Sequence, residues 1–190
     1  MAYSMIQPPF TLKFEEMTKK ELREYFSWFI DAIPKRIDEL VEEIKNYPGF
    51  EIWQPDYTPD SLLMLGDWFA LQVETRSRTQ AELEEIQKNS RFPIEIPRVE
   101  LTNRTFSIAV DVGMYLSQVF LKNHPSLKWG QPLGSKKFID YAQVVLDGFK
   151  VTPFNPSRMM ITLAYGLARK SKSGKDLRNI YDIWSNMIVA

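Results

Sequence analysis

The chain has no cysteine and a single histidine in 190 residues. The first absence removes disulfides, thiol nucleophiles and thiolate metal sites, and it suits a reducing compartment. The second narrows catalysis. A serine nucleophile needs an imidazole base, and His124 stands directly before Pro125, with no Gly-x-Ser-x-Gly elbow elsewhere to present a serine to it. His124 reads instead as a helix-end residue facing the negative end of the dipole. Metal ligands are reduced to carboxylates, and no Asp-x-Asp-x-Asp-Gly calcium loop is present. Gly130-Gln-Pro-Leu-Gly134-Ser-Lys-Lys carries glycines and lysines, but its spacing matches neither a phosphate loop nor a dinucleotide fingerprint. It reads as a turn with solvated lysines. No catalytic residue, metal or cofactor is expected.

Long apolar runs are missing too. The most apolar stretch, Phe106 to Phe120, is interrupted by Asp111, Ser117 and Gln118. It falls short of the about 18 uninterrupted apolar residues of a membrane helix. Met1-Ala-Tyr-Ser-Met-Ile-Gln-Pro-Pro-Phe10 has neither the basic region nor the apolar core of a signal peptide. A cytoplasmic protein with no membrane partner is expected. The formal net charge is zero, yet the balance is local. Residues 1–100 hold 12 Lys and Arg against 19 Asp and Glu, a net of −7, whereas residues 101–190 hold 12 against 5, a net of +7. The favoured reading is that the halves pack together and partly neutralise one another; a functional basic face is the alternative.

What the chain does have is core material. Aromatic residues make up 13% of it, with five Trp and eight Met. That supply suits one folded domain over residues 1–190, with residues 1–12 as a loosely ordered N-terminal segment.

Helix signals are plain. Thr18-Lys-Lys-Glu21 is a capping box. Leu22, Phe26, Phe29, Ile30, Ile33, Ile37, Leu40, Val41 and Ile44 then recur at steps of three and four, giving one apolar face to about Asn46. Pro34 lies inside, and because the apolar phase survives it, a kink is expected rather than a break. Tyr47-Pro48-Gly49 ends the helix. Thr58-Pro59-Asp60-Ser61 predicts a second start, with Thr58 as cap and Pro59 in the first turn. A polar, exposed helix is expected over Thr79 to Asn89. Arg91 to Leu101 holds Pro93 and Pro97 and reads as loop or edge strand. Thr102 to Asn123 is the most apolar helix and is expected at the centre. Two short strands follow, Leu127 to Gln131 and Phe138 to Phe149, as a hairpin or small sheet. Helices then start at Asn155-Pro156 and at Ser173-Gly-Lys-Asp176, the last with Leu177, Ile180, Tyr181, Trp184 and Ile188 on one face. The sum is an α+β fold, mainly helical, of five or six helices with a small antiparallel sheet or hairpin.

Three groups of residues are candidates for a site. Asp111 lies among Ile108, Ala109, Val110, Val112 and Met114, where an unpaired charge is costly. Arg104, Ser107, Asp111, Tyr115, Gln118 and Lys122 share a helical stripe. That stripe is either a structural polar face or a cleft in which Asp111, Tyr115 and Gln118 meet a ligand. An acid/base pair would need Asp140 or Asp147 nearby. Arg169, Lys170, Lys172, Lys175 and Arg178 form a basic patch around the last interhelix turn. It is a solvated junction in the favoured reading and a phosphate-binding surface in the other. Trp129, Phe149 and Phe154 are core aromatics or an anchor pocket for a partner.

Two segments carry a resemblance. Tyr57-Thr-Pro59-Asp-Ser61-Leu62 is similar to a Tyr-x-Pro-x-Ser-Leu helix start in a group of uncharacterised bacterial cytosolic domains. Asp111-Val-Gly113-Met-Tyr115-Leu-Ser117-Gln118-Val119, followed by Trp129, resembles that group's Gly-x-Tyr-x-Gly-Glu-Val before a Trp. Ser117 and Gln118 stand where Gly-Glu is usual. The resemblance covers Tyr57 to about Phe154 and implies an α+β fold and a bacterial source. Some proteins of this kind look like immunity proteins, which neutralise a toxin by binding it. The leading expectation is therefore a non-enzymatic module that binds another protein. A nucleic-acid-associated protein using the basic C-terminal half comes second, and an enzyme centred on Asp111 third.

Overall fold

The computed structural model of the protein describes residues 3–10, 13–90 and 92–189. Among these, six α-helices and two separate two-stranded antiparallel sheets make a mainly helical α+β fold. The helices are α1 (Lys19–Lys45), α2 (Ser61–Gln72), α3 (Gln80–Asn89), α4 (Asn103–Asn123), α5 (Pro156–Ala168) and α6 (Lys175–Ser185). Strand β1 (Thr75–Ser77) pairs with β2 (Val99–Leu101), and β3 (Lys128–Gly130) pairs with β4 (Val145–Asp147). No helix among the described residues is long and apolar enough to cross a membrane.

Helix α1 begins where its capping box places it. The Thr18 hydroxyl accepts from the Glu21 N–H at 3.2 Å, and the Glu21 carboxylate accepts from the Thr18 N–H at 2.7 Å. The helix runs unbroken through Pro34 and buries Leu22, Phe29, Ile33, Ile37, Leu40 and Ile44. One more residue is buried on that face, and it is a cation: Arg36.

Helix α4 is the central element. Thirteen of its residues are buried, because it packs against α1 on one side, α5 on another and α2 on a third. Gly113 permits the approach of α5. A methyl group there would sit 2.9 Å from the Pro156 carbonyl oxygen, tighter than side chains tolerate. Helix α5 starts at its expected cap, where Asn155 Oδ1 accepts from the Arg158 N–H at 3.0 Å. Helix α6 lies on α2, and Gly66 meets the Gly174 backbone at that crossing.

Several boundaries differ from the sequence expectation. The second helix starts at Ser61 with Asp60 before it, rather than at Pro59 with Thr58 as cap, because the Ser61 N–H is taken by the Thr58 carbonyl in a preceding turn. Strand β4 is three residues long, where Phe138 to Phe149 was expected. The Phe138, Tyr141 and Gln143 N–H groups close successive turns onto Ser135, Phe138 and Asp140 instead of a ladder. The strands form two small sheets rather than one. The Pro-containing stretch ends in the short strand β2, and Arg91 lies outside the described residues. Helix α3 is solvent-facing as expected, with no buried residue and a capping box at Thr79.

Candidate functional site

Asp111 is fully buried, and its carboxylate is spent within the protein. Arg36 donates to it twice, from Nε to Oδ1 at 2.8 Å and from Nη2 to Oδ2 at 2.6 Å. This is the bidentate geometry that a guanidinium offers a carboxylate. The Tyr3 hydroxyl donates to the same carboxylate and lies 2.8 Å from Arg36 Nη2 and from the Ser107 hydroxyl. Residues 3–10 form no regular element, yet they strap this site. The Ile6 N–H donates to Ser107 Oγ at 2.7 Å, and Arg36 Nη1 donates to the Ser4 carbonyl at 2.7 Å. Residues 1, 2, 11 and 12 lie outside the described residues. Burial pushes the Asp111 carboxyl up to about 6, against the opposing pull of Arg36. Burial, reinforced by the Asp111 charge, likewise pushes the Tyr3 phenol well above its ordinary value.

Tyr115 and Gln118 do not converge on Asp111's oxygens. Tyr115 is fully buried and turns toward the start of α2, where its hydroxyl is 2.8 Å from Ser61 Oγ and accepts from the Tyr57 N–H at 3.2 Å. Its ring stacks on Tyr57 at 5.3 Å and meets the edge of Trp53 at 5.2 Å. Lys122, on the same stripe, caps the outer face of Tyr57 at 3.7 Å from the ring centroid. Tyr57 holds a left-handed backbone, φ 60°, fixed by this stacking and by an Asn123 hydrogen bond to its carbonyl. Gln118 is half-buried. The two segments that carried the family resemblance thus touch one another, Tyr57 and Ser61 from the first and Tyr115 from the second.

The candidate aromatics also face inward. Phe154 is fully buried among Phe120, Phe149 and Trp184, and its backbone extends β4 by bridging to Leu146. Trp129, half-buried on β3, meets Phe29 of α1 edge-to-face at 6.0 Å. His124 caps the C-terminus of α4, with its ring Nε2 3.1 Å from the Tyr181 hydroxyl. Burial lowers the pKa of that imidazole.

The basic patch divides in two. Arg178 is held by Asp60 of the loop before α2 and by Asp182 at 2.9 Å, and Lys172 is shared with Asp176 at 3.3 Å. Arg169 lies over the Tyr165 ring at 5.7 Å, and Lys170 and Lys175 are exposed. Beside these cations runs a groove of about 550 Å³ between α5 and α6. It opens because α5 packs chiefly on α4 while α6 packs chiefly on α2. Met159, Leu163 and Tyr165 line one wall, Ile180 and Ile183 the other, and Arg169 and Lys172 stand at one end. Ile183 is 59% exposed.

Sequence reasoning missed two arginines and the groove. Arg36 falls in the apolar phase of α1, three residues after Ile33 and four before Leu40, so a cation at a core position was the available signal. Asp140, also fully buried, is paired with Arg158 through two 2.7 Å bonds and accepts from Asn155 Nδ2 at 2.7 Å. It is therefore a strut between the loop and α5 rather than a partner of Asp111. Among the described residues, no cluster of three or more His, Asp or Glu side chains could hold a metal ion. Comparison of the chain with family models, with curated proteins and with solved structures gives no match.

Proposed function

We propose that the protein is a non-enzymatic binding module that docks another protein along the α5–α6 groove, in the manner of an immunity protein. A bacterial, cytoplasmic setting belongs to the same proposal. One observation carries it: a groove edged by cations has Leu163 buried at its base, Met159 and Ile180 half-buried along it, and Ile183 exposed to solvent. Exposed apolar surface with a polar border is what protein interfaces offer. The carboxylates suited to chemistry add indirect support, since Asp111 and Asp140 are each committed to an arginine. An enzyme centred on Asp111 draws correspondingly less support. A nucleic-acid reading also draws less, because Arg178 and Lys172 are engaged by acidic side chains.

The test is capture from a bacterial lysate with the tagged full chain, at high salt and after nuclease treatment. It is run in parallel with the Ile183→Asp variant and with Gly134→Ala as a remote control. A protein retained by the wild type and the control but lost by Ile183→Asp supports the reading. Retention that ignores Ile183→Asp, or that vanishes with nuclease, contradicts it.

A further inference from the structure

The groove has a shape and a charge that narrow what it can hold. On α5, Met159, Thr162, Leu163, Gly166 and Arg169 line it; on α6, Asp176, Asn179, Ile180 and Ile183 do. The α6 set advances by three and four residues as one helical stripe, and the α5 set, which also includes Tyr165, is a broader face of that helix. Two such helix faces, with apolar side chains between them, form the seat that a third helix fills with its own i, i+3, i+4, i+7 face. A ligand small enough to be enclosed is a poorer fit, since the outer wall residue Ile183 is 59% exposed and needs a partner that extends past it.

The charge points one way. Residues 156–189 carry six Lys and Arg against two Asp and Glu. Both acids are already engaged: Asp182 by Arg178, and Asp176 by Lys172 and by the Ser173 N–H at 2.8 Å. Asp60, the acid that reaches this region from the loop before α2, is likewise taken by Arg178. Arg169, Lys170 and Lys175 pair with no carboxylate among the described residues. The end of the groove is therefore cationic, while its floor is aliphatic. Phosphates would match the rim but gain nothing from Met159, Leu163, Ile180 and Ile183.

We infer that the groove takes an amphipathic helix of a partner protein, with its aliphatic face inward and acidic residues flanking it toward Arg169 and Lys170. This inference rests on the protein-docking reading and specifies the partner's chemistry. Rim charges of this kind set selectivity and association rate more than total affinity, so the aliphatic face supplies the binding and the acids supply the choice.

Three fluorescein-labelled 18-residue peptides test it by anisotropy with the full chain. The first carries Leu at helical i, i+3, i+4, i+7 spacing with Glu elsewhere. The second replaces Glu by Lys, and the third breaks the Glu peptide with two central prolines. The Glu peptide is expected to bind at least tenfold more tightly than the other two. Ile183→Asp is expected to abolish binding, and Arg169→Glu with Lys170→Glu to reverse the preference toward the Lys peptide. All three positions are solvent-accessible, and an unchanged far-UV spectrum certifies each variant. Equal binding of the Glu and Lys peptides overturns the acidic partner, as does displacement of the Glu peptide by a short DNA or RNA duplex. No peptide binding, alongside lysate capture that still depends on Ile183, overturns the helical occupant and leaves the docking groove standing. Failure of both takes the docking reading with it.

Discussion

At the residue scale, Asp111 and Arg36 are a unit, and the consequences follow from treating them so. Asp111→Ala takes the bidentate carboxylate from the buried Arg36 guanidinium and leaves it the Ser4 carbonyl, the Tyr3 hydroxyl and Glu39 at 3.4 Å; loss of one member of a buried pair costs up to about 3–5 kcal/mol. Replacing both by apolar residues, as in Arg36→Met with Asp111→Leu, is expected to recover most of that cost in denaturant unfolding. A double variant as unstable as the single ones would show that the pair is not a coupled unit. Acid tests the same site. The folded carboxyl is raised to about 6 from an unfolded value near 3.8, so the folded state holds a proton more tightly. The stability linked to that proton is fully present below about 3.8 and is lost as pH rises through about 6. Unfolding free energies of wild type and Asp111→Asn should therefore diverge in favour of wild type as pH falls from 7 to 4. A constant difference would contradict the raised carboxyl. Sequence disclosed that Asp111 sat in apolar company, but its partner lies 75 residues away on α1. Only the phase of Arg36 hinted at it, and Tyr3 gave no hint.

At the scale of elements, glycines set where helices cross. A methyl at Gly66 would overlap the Gly174 carbonyl, whereas one at Gly134 meets nothing nearby. Gly66→Ala is expected to destabilise the protein by about 1–3 kcal/mol through a forced shift of α6 against α2, with Gly134→Ala close to neutral. Equal thermal midpoints for the two variants would refute that crossing. The helices were legible because their signals are local: the box at Thr18, the cap at Asn155 and the 3.6-residue phase of α1 and α4. The strands were not. Phe138 to Phe149 has strand composition, but a ladder needs a partner, and β3 offers only three residues of pairing. Candidate aromatics such as Trp129 and Phe154 were visible as residues, yet their direction depends on what packs over them. The groove was invisible for the same reason. Ile180 and Ile183 are legible, but the gap beside them exists only because α5 and α6 lean on different helices.

At the scale of the whole molecule, the −7 and +7 halves meet through Arg36–Asp111, Glu43–Arg104 and Asp60–Arg178. The last is exposed on its acidic side, with Asp60 84% accessible. Arg178→Ala is accordingly expected to change stability by less than about 1 kcal/mol, and a larger loss in denaturant unfolding would assign that pair a structural weight its exposure does not support. Arg169, which pairs with no carboxylate among the described residues, lines the α5–α6 groove proposed for the partner. Amide hydrogen exchange of the full chain, with and without the captured partner, tests that placement most directly. New protection is expected in residues 159–183, along the facing sides of α5 and α6, with α3 and the β1–β2 ribbon unchanged. Protection confined to α3 or that ribbon, with α5 and α6 exchanging as in the free protein, would contradict it.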